Sequence, residues 1–539
     1  MQREPKQSKL SCRQKEGDRH ERDICFFGKK NTRRVEVSNH WKYCVGSGQA
    51  KLAMRSDYAR QLKFIHDELG IERVRFHGIF DDDMQAIMSM ADMMPMPGAE
   101  KFQNYNFFNI FAAYDNVLAA GMKPWVELSF MPSTIAKRKK KVTVNAEGMK
   151  TMPAKDDDWV KLVQAFIRAA IHRYGRNEVI TWNFEVWNEP NMFTFFAGTM
   201  EDYFHLYEIT AKAVKEVEPA LLVGGPASAT GDWIAEFIDF CEQRKLPLDF
   251  ISTHNYPGDG IGEAFAMKDL FSNVVGGMKQ LRSKKAGTTL DGIRLIMEDK
   301  TETTVLAKGQ MYDNTKKVSQ IVAGRYPIYY TEWNCNAILT SPSNDSKKVA
   351  CFQVKSIDEM EGNVTGSSIW AFSDIFDEFM IVPEEFSGGF GLLTIHGIPK
   401  PQFYALKLLS DAGSRKLVLP RTNDEIELSV YESDDEYRVF VYRQRMKGSS
   451  VEAEKYRVQI EVPGCQNVRL HRIDDEHCNP YRIWKEMGSP ENMNPQEIHE
   501  VIEKSSLVAE KVTYTYENGE LIVSGRLQVN DTHCYIIRK

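Results

Sequence analysis

Between residues 41 and 412 short apolar runs alternate with longer stretches in which apolar residues recur every three or four positions. The runs fall at 43–46, 73–77, 124–130, 180–189, 221–227, 250–256, 327–334 and 368–374. Runs that are short, apolar-rich and without a solvent-facing alternation read as strands covered on both faces, the pattern of a parallel sheet. The stretches 57–69, 159–174, 201–217 and 231–244 carry the helical period. Strand–helix alternation of this length predicts an α/β fold, a (β/α)8 TIM barrel over 41–412. A doubly wound open sheet is the competing layout, but no glycine-rich phosphate fingerprint follows an early strand.

After a helix at 401–409 the period changes to two, at 425–430, 437–443, 456–462, 511–516, 521–523 and 534–537. This predicts a small accessory antiparallel β-sandwich domain over 413–539. A strand within 33–40 is expected to pair with it across the barrel, and the charged stretch 1–32 reads as a disordered N-terminal tail. The polar stretch 283–319 reads as a surface insertion. The basic run Lys137 to Lys141 reads as a solvated loop rather than an anion site, because no aromatics interleave it. The methionines at 84, 88, 90, 93, 94 and 96 read as packing.

Composition narrows the partners. A net charge of −6 argues against nucleic acid and anionic membranes. No run approaches the roughly 20 apolar residues of a membrane span. The polar start lacks the apolar core of a cleavable signal, and nine scattered cysteines fit a reducing compartment, so a cytoplasmic location is expected. No metal or cofactor is expected, since the histidines and cysteines lack ligand spacing.

A barrel of this kind places its chemistry where strands end in loops. Those ends carry Arg75, His77, Phe130, Asn188, Glu189, His254, Tyr256, Glu332, Trp333, Trp370 and Asp374. Aromatic faces suit pyranose rings, and Asn, His and acidic groups suit hydroxyls. A carboxylate at the end of a buried strand needs a reason. Two of them, Glu189 and Glu332, are what hydrolysis of a glycosidic bond requires. Glu185, four residues earlier, reads as a buried structural carboxylate paired with an arginine.

Trp187-Asn188-Glu189-Pro190-Asn191 and Thr331-Glu332-Trp333-Asn334 together resemble clan A of the retaining glycoside hydrolases. Val74-Arg75-Phe76-His77-Gly78, His254-Asn255-Tyr256-Pro257 and Gly388-Gly389-Phe390-Gly391-Leu392-Leu393 are similar to family 39, the β-xylosidases and α-L-iduronidases. The resemblance implies Glu189 as general acid/base and Glu332 as nucleophile, with Arg75 and Tyr256 supporting the nucleophile. It implies Asn188 on the sugar 2-hydroxyl, and His77, Phe130, His254, Tyr256, Trp333, Trp370, Asp377 and Glu378 around the sugar. The histidines taken singly would read as satisfied core residues; the flanking words reverse that.

Iduronidases resemble one another in carrying lysine where this chain has Tyr256, so the expected substrate is a neutral pentoside. The expected activity is a retaining exo-β-1,4-xylosidase releasing xylose from xylo-oligosaccharides. A β-glucosidase-like or α-L-iduronidase-like enzyme, or a non-catalytic carbohydrate-binding protein, are the alternatives. Two departures from the family pattern stand out: the stretch Cys335-Asn336-Ala337-Ile338 lacks a usual aromatic, and Asp377 stands where glutamate is common. The resemblance also implies a homo-oligomer, tetramer or dimer.

Overall fold

The computed structural model describes residues 21–24, 32–89, 96, 103–142, 146–257, 306–337, 339–378, 384–419, 425–446, 449–462 and 464–539. Eight parallel strands close into a barrel: β1 (Cys44–Gln49), β2 (Arg73–His77), β3 (Lys123–Leu128), β4 (Asn183–Val186), β5 (Leu222–Ser228), β6 (Phe250–Asn255), β7 (Ile328–Trp333) and β8 (Gly366–Ile369). Closure is made by β8 against β1, with Ser368 opposite Cys44. A strand covered on both sides tolerates little solvent exposure, and every residue of β1, β6 and β7 is buried.

Each strand is followed by a main helix: α1 (Ser56–Leu69), α2 (Phe108–Ala119), α3 (Asp156–Tyr174), α4 (Met200–Val217), α5 (Ile234–Arg244), α6 (Gln310–Val322), α7 (Lys347–Met360) and α8 (Pro401–Ser410), with a further short helix at Arg176–Val179 among the described residues. Local chemistry marks their starts. Three aspartates, Asp156 to Asp158, occupy the first turn of α3, where the helix dipole favours negative charge. Thr199 and Asp202 form a reciprocal capping box on α4.

The barrel interior is layered. At the amino ends of the strands Tyr43, Trp125, Phe250 and Tyr329 form an aromatic plug, with Trp125 and Tyr329 ring centres 5.1 Å apart. Charged side chains fill the carboxyl ends. The plug closes one mouth, so chemistry is confined to the other.

The chain beyond α8 forms two sheets that share one apolar core, including Val439, Tyr456, Val458, Val523 and Ile537. In the seven-stranded sheet Arg34–Glu36 pairs antiparallel with Arg415–Leu417. The second sheet includes Glu21–Ile24, paired parallel with Glu454–Glu461, so the expected tail contains a strand. The period-two run at 511–516 divides between the sheets, as Glu510–Lys511 and Tyr514–Glu517. Partly buried ion pairs tie domain to barrel, among them Lys347 with Asp531 at 2.7 Å.

The basic loop is exposed, and Lys141 pairs with Glu147 at 2.6 Å. From Gln310 the expected insertion is helix α6 rather than surface loop. Residues 283–305 and the methionines at 90, 93 and 94 lie outside the described residues. Among the described residues no helix is long and apolar enough to cross a membrane.

Candidate active site

The end of β4 turns sharply. Trp187 and Glu189 take left-handed backbone conformations, with φ of 74° and 40°. Such values cost a bulky residue on the order of 1–3 kcal/mol and persist only where surroundings impose them. Here the Trp187 indole donates to the Phe195 carbonyl at 3.1 Å and packs on Phe130, Trp159 and Phe196. The Glu189 amide donates to the Ala227 carbonyl at 2.9 Å. The result holds the Glu189 carboxyl against His254, whose Nδ1 lies 2.8 Å from Glu189 Oε1.

On β7 the register with β6 slips, so that Thr253 faces Tyr330 and His254 faces Glu332. Thr331 is the extra residue of this bulge. Alternation alone would send Thr331 and Glu332 to opposite faces; the bulge turns both inward, a common use of bulges beside active sites. Glu332 Oε1 accepts from Arg75 Nη1 and Oε2 from the Tyr256 hydroxyl, both at 2.8 Å.

Arg75 is wholly buried and organises the floor. Its Nε donates to Glu185 at 2.6 Å and its Nη2 to Asn188 Oδ1 at 2.9 Å, with Glu127 2.7 Å away. Burial works against the guanidinium, but Glu127, Glu185 and Glu332 outweigh it and raise its proton affinity further. His77 Nδ1 meets Glu127 at 2.7 Å, and its Nε2 lies 3.5 Å from Glu332. Burial alone would neutralise His77, but Glu127 carries it up to about 9. Glu127 is held below the usual carboxylate range, because Arg75 and His77 overcome its burial.

Glu189 has the opposite surroundings. Burial pushes its carboxyl up to about 7, against the pull of His77 and Arg75. Burial also lowers His254 to about 4, leaving its ring neutral at pH 7.

Around this pair the structure brings together most of the sequence candidates. The Trp370 ring is centred 4.9 Å from that of His77 and lies so close to β1 that a Cβ on Gly46 would sit 2.4 Å from it. Phe130 is centred 6.1 Å from His77. The acidic pair beyond β8 divides. Glu378 is buried and raised to about 7 by that burial, with Glu332 adding and His77 opposing. Asp377 is half-buried and bonds Lys51 at 3.0 Å. A buried lysine, Lys400, anchors the loop that carries them, through Asp345 at 2.6 Å and Asp374 at 2.5 Å.

Trp333 is a correction. It follows Glu332 past the bulge, so it points out of the barrel and packs on Phe352 of α7, centres 6.1 Å apart. It packs on a helix and does not face Glu189 and Glu332. Glu185 meets Arg75 as the sequence suggested. Glu127, Thr331 and Phe195, centred 6.2 Å from Phe130, were missed. For Glu127 the signal was present: a carboxylate inside the buried run Trp125-Val126-Glu127-Leu128.

The one group of metal-type donors close together among the described residues is Glu189, His254 and Glu332 itself, within 4.8 Å of one another. These donors are already engaged with one another, Arg75 and Tyr256, so no metal is assigned.

Comparison with known proteins gives the family. The family model for glycosyl hydrolases family 39 matches residues 28–283 and 294–521. A β-xylosidase of Caldicellulosiruptor saccharolyticus is 36% identical over 492 residues, 90% of this chain and 92% of that protein. A β-xylosidase of Geobacillus stearothermophilus is 30% identical over 467 residues, 85% of this chain and 84% of that protein. Among solved structures, a family 39 β-xylosidase from Caulobacter crescentus superposes with a TM-score of 0.73 at 26% identity, covering 96% of this chain and 100% of its own.

Proposed function

Since this chain belongs to glycosyl hydrolase family 39, we propose that it is a retaining, exo-acting β-1,4-xylosidase that releases xylose from the non-reducing end of xylo-oligosaccharides. Glu332 attacks the anomeric carbon while Glu189 gives its proton to the departing oxygen. The covalent glycosyl-enzyme on Glu332 is then opened by water, from which Glu189 takes a proton.

The observation that carries this reading is the short gap between the two carboxyls, whose oxygens come within 4.8 Å. Retaining enzymes keep their carboxyls about 5–5.5 Å apart, whereas inverting ones leave about 6.5–9.5 Å for a water. The electrostatics support the assignment of roles. Glu332 accepts from Arg75 and Tyr256, which suits an anion, and Glu189 is raised to about 7, which suits an acid. Arg75 takes the Asn188 carbonyl, so the amide N–H2 is turned to donate to the sugar 2-hydroxyl. Glu378 Oε1, without a hydrogen-bond partner among the described residues, accepts another hydroxyl.

The neutral pentose follows from the β-xylosidases among the relatives and from Tyr256, a neutral residue beside the nucleophile. The test is a panel of p-nitrophenyl glycosides (β-xyloside, β-glucoside, α-arabinoside, iduronide) with Glu332→Ala as blank. Preferred turnover of the β-xyloside, with the product first formed as the β-anomer, is expected. Preference for the iduronide, or an α-anomer as first product, would overturn the reading.

A further inference from the structure

We propose that Thr331 and Glu185 are positioning residues that fix the tautomer of His254, holding its ring proton on Nε2 so that Nδ1 accepts the acid proton of Glu189.

The argument is a count of protons along one line. Glu185 Oε2 is taken by Arg75 Nε at 2.6 Å, and Glu185 Oε1 accepts from the Thr331 hydroxyl at 2.8 Å. A threonine hydroxyl has one proton, and here it goes to Glu185. The Thr331 oxygen can then only accept from His254, whose Nε2 stands 3.2 Å away. A neutral imidazole has a single ring proton, so Nδ1 is left with a lone pair. Nδ1 lies 2.8 Å from Glu189 Oε1, and the proton between them belongs to Glu189.

This bond exists only while Glu189 is protonated. A hydrogen bond to the neutral form of an acid favours that form, adding to the effect of burial. On ionisation a lone pair would face a carboxylate, so the pair keeps its proton to higher pH than Glu189 beside a freely tautomerising ring. The bulge on β7 makes the line possible, because it turns Thr331 inward with Glu332.

Charged groups face the pair from four strands: Arg75 and His77 from β2, Glu127 from β3, Glu185 from β4 and Glu332 from β7, with Glu332 Oε2 3.6 Å from His254 Nδ1. The neutral Tyr256 phenol and Glu378 lie farther out, Tyr256 bonding Glu332 and Glu378 acting on His77 and Glu332. Only Thr331 is within hydrogen-bond reach of Nε2 among the described residues. Replacing it therefore changes the tautomer without changing any charge.

The proposal rests on Glu189 being the acid, and two measurements separate the claims. The first is the imidazole nitrogen NMR spectrum of the full-length enzyme labelled with ¹⁵N-histidine at pH 6, with His254 assigned by its loss in His254→Asn. A proton on Nε2 and a bare Nδ1 are expected; a proton on Nδ1 overturns the lock whatever the role of Glu189. The second is the pH profile of kcat/KM on an unactivated alkyl β-xyloside for Thr331→Val and Thr331→Ser. In Thr331→Val the alkaline limb should fall by about one pH unit, a tenfold loss of proton affinity, while Thr331→Ser keeps it in place. A folded Thr331→Val enzyme with an unmoved limb overturns the lock. Failure of the acid assignment looks different: the alkaline limb would survive in Glu189→Gln. If Thr331→Val does not fold, the wild-type spectrum alone decides.

Discussion

The ends of β4 and β7 each present one glutamate to the same small space, and their surroundings differ in kind. At β7, Glu332 meets a guanidinium, a phenol and the charged ring of His77. At β4, Glu189 meets a neutral imidazole, and burial raises its carboxyl to about 7 against the pull of His77 and Arg75. The two side chains are chemically identical, so the proposed division into nucleophile and acid rests on the neighbours. Arg75 does most to create it, because one buried cation serves Glu332, Glu185, Glu127 and Asn188 on one side of the site.

The comparison breaks most completely at the nucleophile. Glu332→Ala should lower kcat by roughly 10⁶-fold, as removal of a catalytic nucleophile does elsewhere. Azide, supplying a small anion in the vacated space, should restore turnover and give the inverted glycosyl azide.

Glu189→Gln probes the other side. For an unactivated leaving group the loss should be about 10²–10⁴-fold. A dinitrophenyl xyloside needs no proton on its leaving group, and its first step should be nearly unaffected. Burst kinetics separate the two steps. An equal loss on both substrates would contradict the acid role.

Arg75→Met removes the source of the asymmetry. Glu127 and Glu185 would stay buried without their cation, and breaking a buried pair in this way costs about 3–5 kcal/mol. Urea unfolding should report that loss. The variant should also be inactive at a temperature where it remains folded.

The smallest change sharpens the comparison by a residue outside it. Trp333 adjoins Glu332 in sequence but supports α7, so Trp333→Phe should lower stability by about 1–3 kcal/mol and leave KM for the xyloside within twofold. Trp370→Ala, by contrast, should raise KM, since that ring stands beside His77 at the proposed sugar site.

The barrel was legible because short apolar-rich runs alternate regularly with helical segments, and each of the eight runs contains a barrel strand. The two glutamates were legible because each interrupts such a run at its end. Trp333 was misread because neighbours on a strand lie on opposite faces, and adjacency in sequence says nothing about which faces the site. Thr331 could not be read at all, since its direction depends on a register slip against β6, a long-range property. The accessory domain was less legible. Its helix at Pro495–Ser505 announces itself by an Asn494–Glu497 capping box, but at 11 residues it was overlooked among period-two strands. The strand Asn467–Ile473 alternates Val468, Leu470 and Arg472 on one side, and its mixture of charge hid the period.

The central claim is that surroundings alone divide two identical carboxyls. The direct measurement is a ¹³C NMR titration of the glutamate side-chain carboxyls in the full-length enzyme, with Glu189 assigned by its absence in Glu189→Gln. The account predicts a midpoint of about 7 for Glu189. A midpoint in the ordinary carboxylate range near 4.5 would contradict it.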